Sequence, residues 1–168
     1  YSDPRCRELG MRYIQKNGQN NFNRSTKFET DNFSYETLRM ENGICEGQEL
    51  RNLTPIECNL DFLGYISFAK GCYIGQELTA RTHFKGIIRK RIFPIKINCS
   101  LNDTALQAGN VVTDENDSKM GELIALNSQN NVGLAMLKIE SVEGAVQKLK
   151  VLAKDGQQIE ISPFKPKS

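Results

Sequence analysis

The amino-acid sequence predicts an α+β fold in two parts, an α+β segment over residues 1–85 and an antiparallel β-barrel over residues 86–168. Three observations predict it. Helix signals, meaning capping residues, apolar spacing and a terminal glycine, fall before residue 86. From Ile87 the apolar period becomes that of strands, with isoleucine at 87, 88, 92, 95 and 97. Beyond that point short apolar runs recur, each bounded by Gly, Asn, Asp or Ser, the pattern of a small antiparallel barrel or sandwich.

Asp3-Pro-Arg5 opens the chain, where Pro4 disfavours helix at the residue before it and Gly10 interrupts any longer helical pattern. Met11, Tyr13 and Ile14 predict a short strand, and polar residues 15–33 an exposed loop. Phe33–Gly43 predicts a helix: Ser34 can cap it, Tyr35 and Leu38 share a face, and Gly43 stops it. Asn42-Gly43 and Pro55 mark turns, and Ile66-Ser-Phe68 reads as a short strand. Good helix formers from Gln76 predict a second helix to about Phe84, ending before Gly86. Strands are then expected at 87–97, Val111–Thr113, Met120–Leu126, Val132–Ile139, Leu149–Ala153 and Gln158–Ile161. Turns separate them at Gly109-Asn110, Asp114–Ser118, Asn127–Asn131 and Asp155-Gly156, with a helical turn within Ser141–Lys148. No internal repeat is present.

With 39% hydrophobic and 25% charged residues and no tryptophan, the composition is that of an ordinary globular protein. No apolar run approaches the roughly 20 residues that cross a bilayer. Five cysteines, an odd number without CxxC spacing, argue against a disulfide framework and against a self-contained zinc or cluster site, so a reducing compartment is expected. The net charge of +2 hides an asymmetry: residues 70–91 carry six Lys/Arg and one Glu, a local +5, which leaves −3 elsewhere.

That basic stretch holds the most informative string in the chain, Lys70-Gly-Cys-Tyr-Ile-Gly-Gln-Glu-Leu-Thr-Ala-Arg81. It places Cys72 between Gly71 and Gly75, directly ahead of the helix that starts at Gln76, with Glu77 and Arg81 spaced to pair. A thiol near a helix N-terminus meets the positive end of the dipole, which eases formation of the thiolate. Chemically Cys72 can serve as a nucleophile, a redox thiol, or one ligand of a metal or cluster. A bare cysteine beside glycines is most often an idle thiol.

The whole string, with Thr82 and His83 after it, resembles the signature of the YgfZ-like proteins, part of the larger family of the glycine-cleavage T-protein, a tetrahydrofolate-dependent aminomethyltransferase. Upstream, Asn59-Leu-Asp-Phe-Leu-Gly-Tyr-Ile-Ser-Phe68 matches the run that leads into the signature. Downstream, Gly86-Ile-Ile-Arg-Lys-Arg-Ile-Phe-Pro94 looks like the version in the mitochondrial branch, the assembly factors for iron–sulfur proteins. The resemblance implies a T-protein-type folate-binding body followed by a C-terminal barrel, and longer relatives of which this is the C-terminal part. It further implies maturation of [4Fe–4S] proteins in the mitochondrial matrix, tetrahydrofolate as a ligand, and A-type iron–sulfur scaffold proteins as partners. Lys70, Gly71, Cys72, Tyr73, Gly75, Gln76, Glu77 and Arg81 become the functional signature. Cys72 becomes a ligand of a transient cluster shared with a partner, since clusters usually take four ligands and one cysteine cannot hold one alone.

Arg39-Met-Glu-Asn-Gly-Ile44 resembles the T-protein segment in which an acidic residue meets the pterin, which implies Glu41 as a folate contact. Read from the residues alone, Glu41 is a carboxylate at a helix end, where the dipole disfavours it. The basic set Arg81, Lys85, Arg89, Lys90 and Arg91 reads either as a solvated face or as a landing surface for an acidic partner. His83, the single histidine, lies eleven residues from Cys72 and reads as idle. Two rival functions stand beside assembly factor: a working aminomethyltransferase, which needs no thiol at Cys72, and a basic barrel that binds protein or RNA. Nucleic acid is disfavoured because aromatics are sparse among the charges.

Overall fold

The computed structural model describes residues 2–11, 32–98, 106–143 and 148–165. Six strands form a closed antiparallel barrel: β1 (Lys90–Ile97), β2 (Val111–Thr113), β3 (Lys119–Asn127), β4 (Val132–Lys138), β5 (Leu149–Leu152) and β6 (Gln158–Pro163), in the spatial order β1-β4-β3-β2-β5-β6. Closure removes the sheet edges that a small open sheet would expose to pairing with other chains. Every strand lies where the apolar period places it, within a few residues. The first is shorter than expected: Ile87 and Ile88 precede the ladder, which begins at Lys90 opposite Lys138.

The alternation of side chains sorts the residues of β1 and β4 into two cores. Phe93, Ile95 and Ile97 with Ala135 and Leu137 point into the barrel, joined by Val112, Leu123, Leu149, Val151, Ile159 and Ile161. Ile92, Val132, Leu134 and Met136 point outward, where they meet Met40 and Cys45. Residues 132–137 are consequently buried without interruption, the mark of a strand covered on both faces. The cover is α1 (Asn32–Glu41), one residue longer than expected at its start and ending at Asn42-Gly43, with Gly43 at φ +65°. The β3–β4 turn reaches the same helix: the Asn127 and Asn130 amides donate to Thr37 Oγ1 at 3.3 and 2.5 Å.

Turn chemistry follows the sequence. Between β2 and β3, Asp114 Oδ1 accepts from the Asn116 and Ser118 amides at 2.9 and 2.8 Å. Gly156 turns β5 into β6 at φ +85°. A short helix, α3 (Ile139–Glu143), follows β4 in the region expected to carry a helical turn, the remainder of which lies outside the described residues.

One local expectation is corrected, and two fall largely outside the described residues. Ile66-Ser-Phe68 is irregular, because no neighbouring strand among the described residues offers it a ladder; Phe68 instead packs its ring on a helix. Of the strand expected at Met11–Ile14 only Met11 is described, in an antiparallel bridge with Ser2, and the rest lies outside the described residues. The exposed loop expected over residues 15–33 falls almost wholly outside the described residues, and Ser34, expected to cap the helix, stands inside that helix because α1 already starts at Asn32. Two 3-10 turns, Arg7–Leu9 and Gly47–Leu50, carry no apolar period and were not foreseen.

Buried ion pairs bind the N-terminal segment together. Arg5 joins Asp3, Glu46 and Tyr35. Arg39 is held bidentate by Glu49 at 2.8 Å on each arm and donates to Ile44 O at 3.1 Å.

Candidate functional site

The signature sits on a platform that the preceding loop builds against the barrel. Residues 54–64 run through successive turns, made possible by Asn59 at φ +62° and Gly64 at φ +72°. Thr54 and Glu57 lock the first turn, the Thr54 amide and hydroxyl donating to Glu57 Oε2 at 2.8 and 2.9 Å. The Asn59 amide, nearly fully buried, donates to Ile92 O at 2.9 Å and Gly43 O at 3.3 Å, while the Ile92 amide donates to Glu57 O at 2.9 Å. Arg91 completes the clamp. Its guanidinium donates to both Asp61 oxygens at 2.8 and 2.6 Å and to Ile56 O at 2.8 Å, and the Phe62 ring lies 4.1 Å from its Cζ. Burial pushes the Asp61 carboxyl up, but the Arg91 hydrogen bonds and charge outweigh it and hold the group below its ordinary value of 3.8.

After this platform the backbone extends, with Lys70, Gly71, Cys72, Ile74 and Gly75 all exposed. Lys70 Nζ stands 4.5 Å above the Tyr73 ring. The Tyr73 amide donates to Gln76 Oε1 at 3.3 Å and its carbonyl accepts from the Gln76 amide at 3.2 Å, so Tyr73 and Gln76 close the turn that presents the thiol. Gly75 supplies the φ of +88° that this turn needs, whereas Gly71 keeps an ordinary φ and has nothing within 4 Å of a Cβ placed on it.

The second helix, α2 (Gln76–Phe84), has the expected span. Thr79 fastens its first turn, backbone and hydroxyl both donating to Gly75 O at 3.2 Å. Its last turn is anchored by rings: His83 stacks on Phe68 with centroids 3.9 Å apart, and Phe84 meets both edge-on. His83 thus holds a helix end and makes no hydrogen bond to Cys72. The helix ends at Lys85, whose backbone leaves helical geometry while its amide still donates to Arg81 O at 2.9 Å. The close return that follows needs a glycine, since a Cβ at Gly86 would lie 2.8 Å from Thr82 Cα. Cys72 itself lies four residues ahead of the first helical residue, on the extended segment rather than in the first turn.

Glu77 and Arg81 pair along α2. Their side chains are 83% and 68% exposed, so water screens them and a double-mutant cycle is expected to give a coupling below about 0.5 kcal/mol. A coupling above roughly 1 kcal/mol would show that a surface absent from this chain shields the pair.

Four described cysteines are free thiols: Cys6, Cys45, Cys58 and Cys72; Cys99 lies outside the described residues. Only Cys72 among them is exposed. Cys45 and Cys58 are packed away, and burial pushes both thiols up, Cys58 to about 11 and Cys45 further, so neither forms a thiolate readily. Cys6 is half-buried and donates to Asn42 Oδ1 at 3.5 Å. No cluster of three or more metal-ligating side chains occurs among the described residues.

The basic set does not act as one face. Arg91 is buried against Asp61, Lys90 pairs with Glu57 at 3.1 Å, and Arg81 with Glu77; Lys85 and Arg89 make no ion pair among the described residues. Sequence reading missed the Arg91–Asp61–Asn59 clamp, since charge spacing along the chain cannot show which arginine a loop 30 residues upstream will bury. Glu41 is the last residue of α1 and half-buried. One cavity is lined by Ile87–Lys90, Lys138–Glu140 and Glu143 and another by Asn59, Phe62, Arg91–Phe93 and Ile139, and Glu41 lines neither.

Fold and signature together define a T-protein-like architecture whose exposed cysteine turn sits beside a closed barrel. The chain is a homologue of proteins named as mitochondrial iron–sulfur cluster assembly factors, and its barrel is of the CAF17 C-terminal kind. Residues 89–168 match the family described as CAF17, C-terminal beta-barrel domain. The chain is 39% identical over 141 residues to the iron-sulfur cluster assembly factor IBA57, mitochondrial, of Homo sapiens, covering 81% of this chain and 38% of that protein. It is 39% identical over 147 residues to the protein of the same name in Mus musculus, covering 84% and 40%. It therefore spans about two fifths of the length of these relatives. The glycine cleavage system aminomethyltransferase T of Bartonella henselae shares the fold, with a TM-score of 0.59 at 16% identity over 79% of this chain and 37% of that one.

Proposed function

We propose that this protein takes part in the maturation of mitochondrial [4Fe–4S] proteins in the matrix, with Cys72 as the working thiol. The observation that carries the reading is the contrast among thiols: Cys72 alone among the described cysteines is exposed, on a turn closed by Tyr73, Gly75 and Gln76. The naming of the relatives as iron–sulfur cluster assembly factors supports the same role.

A cluster is cargo in this reading. Cys72 supplies one thiolate to it while an A-type scaffold protein supplies the others, and its exposed position lets the cargo pass without opening the fold. Lys70, Tyr73, Gly75 and Gln76 set the turn, and Glu77 and Arg81 flank it. Tetrahydrofolate belongs to the reading as a ligand of the full-length protein, Glu41 offering a carboxylate able to accept hydrogen bonds from an amino-pyrimidine edge. Glu41 is the group that the described residues offer to it.

The test is anaerobic mixing of the full-length protein with a cluster-loaded A-type scaffold, followed by absorbance and Mössbauer spectroscopy. The cluster signal specific to the mixture is expected to disappear in Cys72→Ala and to persist in Cys6→Ala. A signal that survives Cys72→Ala removes the thiol from the cluster site.

A further inference from the structure

Eight large apolar side chains stand exposed among the described residues, and six of them fall within residues 62–87: Phe62, Tyr65, Ile74, Leu78, Phe84 and Ile87. Single exposed apolar residues are normal, but a concentration of this kind marks a surface meant to be covered. Its geometry is coherent. Projected at about 100° per residue, Leu78 and Arg81 share an arc of roughly 60° on α2, with Phe84 and Glu77 beside it and Lys85 following at the C-cap. Thr79, the one buried residue of the helix, faces the other way. Ile74, fully exposed, sits just ahead of the helix, two residues from Cys72. Beyond the helix, Ile87 (82% exposed) borders a groove of about 750 Å³ between Ile87–Lys90 and Lys138–Glu143.

Charge identifies the occupant. Lys85 and Arg89 have no carboxylate partner among the described residues, and Lys70 engages only the Tyr73 ring. The far wall of the groove is mixed, Lys138 standing with Glu140 and Glu143, so the positive excess belongs to the Cys72 side. Of the six exposed apolar side chains, the Phe62 ring is taken by Arg91 and the Phe84 ring by Phe68 and His83, while Ile74, Leu78 and Ile87 are aliphatic. The three aliphatic residues cannot stack on bases and the two phenylalanine rings are already engaged, which favours a polypeptide over RNA. We propose that the exposed arc of α2 and the Ile87–Arg89 segment dock an acidic surface of a partner protein that seats apolar side chains on Leu78 and Ile87. Docking there holds that partner against the Cys72 turn. The proposal rests on the reading of Cys72 as a thiol shared with a partner.

Affinity of the full-length protein is measured by calorimetry for two probes, an apo A-type scaffold and a synthetic acidic amphipathic peptide. The variants are Leu78→Ser, Ile87→Ser and the double charge reversal Lys85→Glu/Arg89→Glu, all at exposed positions and all expected to keep the wild-type melting temperature. Each is expected to weaken scaffold binding by about tenfold or more, and the charge reversal to flatten its salt dependence. Scaffold binding unaltered by all three variants overturns the docking face and leaves the role of Cys72 standing. Peptide binding with that variant dependence, but no scaffold binding, keeps the docking face and removes the A-type partner. Binding of neither probe overturns both. Self-association abolished by Leu78→Ser, uridine-oligonucleotide binding indifferent to Leu78→Ser and Ile87→Ser, or protection of both side chains from footprinting in the free full-length protein would each assign the face to another occupant and overturn the proposal.

Discussion

Replacing Asp61 by alanine is expected to lower the unfolding free energy by about 3–5 kcal/mol, because it strands the Arg91 guanidinium in an apolar setting. The side chains of the pair are 8% and 7% exposed, so neither water nor salt can take over the lost charge. For a chain of this size the loss corresponds to a fall in melting temperature of roughly 10 °C. Replacing both partners, Asp61→Leu with Arg91→Met, is expected to recover part of the loss, but not all, since Ile56 O then loses its donor. The acid limb carries a second signature. The Asp61 carboxyl is held below its ordinary value in the folded chain, so its stabilisation is complete above that value and fades as pH falls through the lowered folded one. Asp61→Asn should therefore flatten the loss of stability below about pH 4. The functional consequence is local. With the clamp open, amides of residues 54–75 should exchange faster than those of β2, β3 and β5. An unchanged melting temperature in Asp61→Ala would dismiss the clamp as the support of the signature.

The barrel was legible because each of its strands carries its own instruction. A continuous apolar run places residues 132–137, turn residues break the chain at 114–118, 127–131 and 155–156, and no long-range information is needed to see them. The span of α2 was legible for the same reason: helix formers start after Gly75 and end before Gly86. What could not be read is what depends on partners distant in sequence. Arg91 looks like its neighbours Arg89 and Lys90 until Asp61, thirty residues earlier, takes it inside. Ile66-Ser-Phe68 alternates like a strand, yet among the described residues no strand pairs with it, and Phe68 is claimed by His83. The 3-10 turns at Arg7–Leu9 and Gly47–Leu50 are too short for a periodic signal.

The Cys72 turn shows both sides of this boundary. Recognition of the whole signature string located it, and the structure adds the feature that the string lacks: burial of Cys45 and Cys58 leaves Cys72 as the exposed thiol among those described. Exposure also limits the dipole argument. A thiol four residues ahead of α2 gains from access and from the turn that aims it more than from the helix end.

Gly121→Ala is the second substitution expected to have a large effect, and it separates glycines that the fold needs from glycines that the site needs. Gly121 pairs with Leu137 across β3 and β4 and with Val112 across β2 and β3. A Cβ there would stand 1.9 Å from Met136 O and 2.9 Å from Met136 C. Those are backbone atoms of the strand that closes both cores, so no rotamer change relieves the overlap and the two strands must part. The expected cost is about 3 kcal/mol or more, at the upper end of overpacking, with loss of the cooperative melting transition if the barrel cannot close. Gly71→Ala is the matched comparison, since a Cβ at Gly71 meets nothing within 4 Å and its backbone needs no positive φ. Its melting temperature should equal that of the wild type, measured by circular dichroism on both variants. A stable Gly121→Ala protein would mean that the β3–β4 ladder has more slack than its register allows. If Gly71→Ala melts like wild type yet loses cluster transfer, Gly71 serves the approach of a partner to Cys72 rather than the fold.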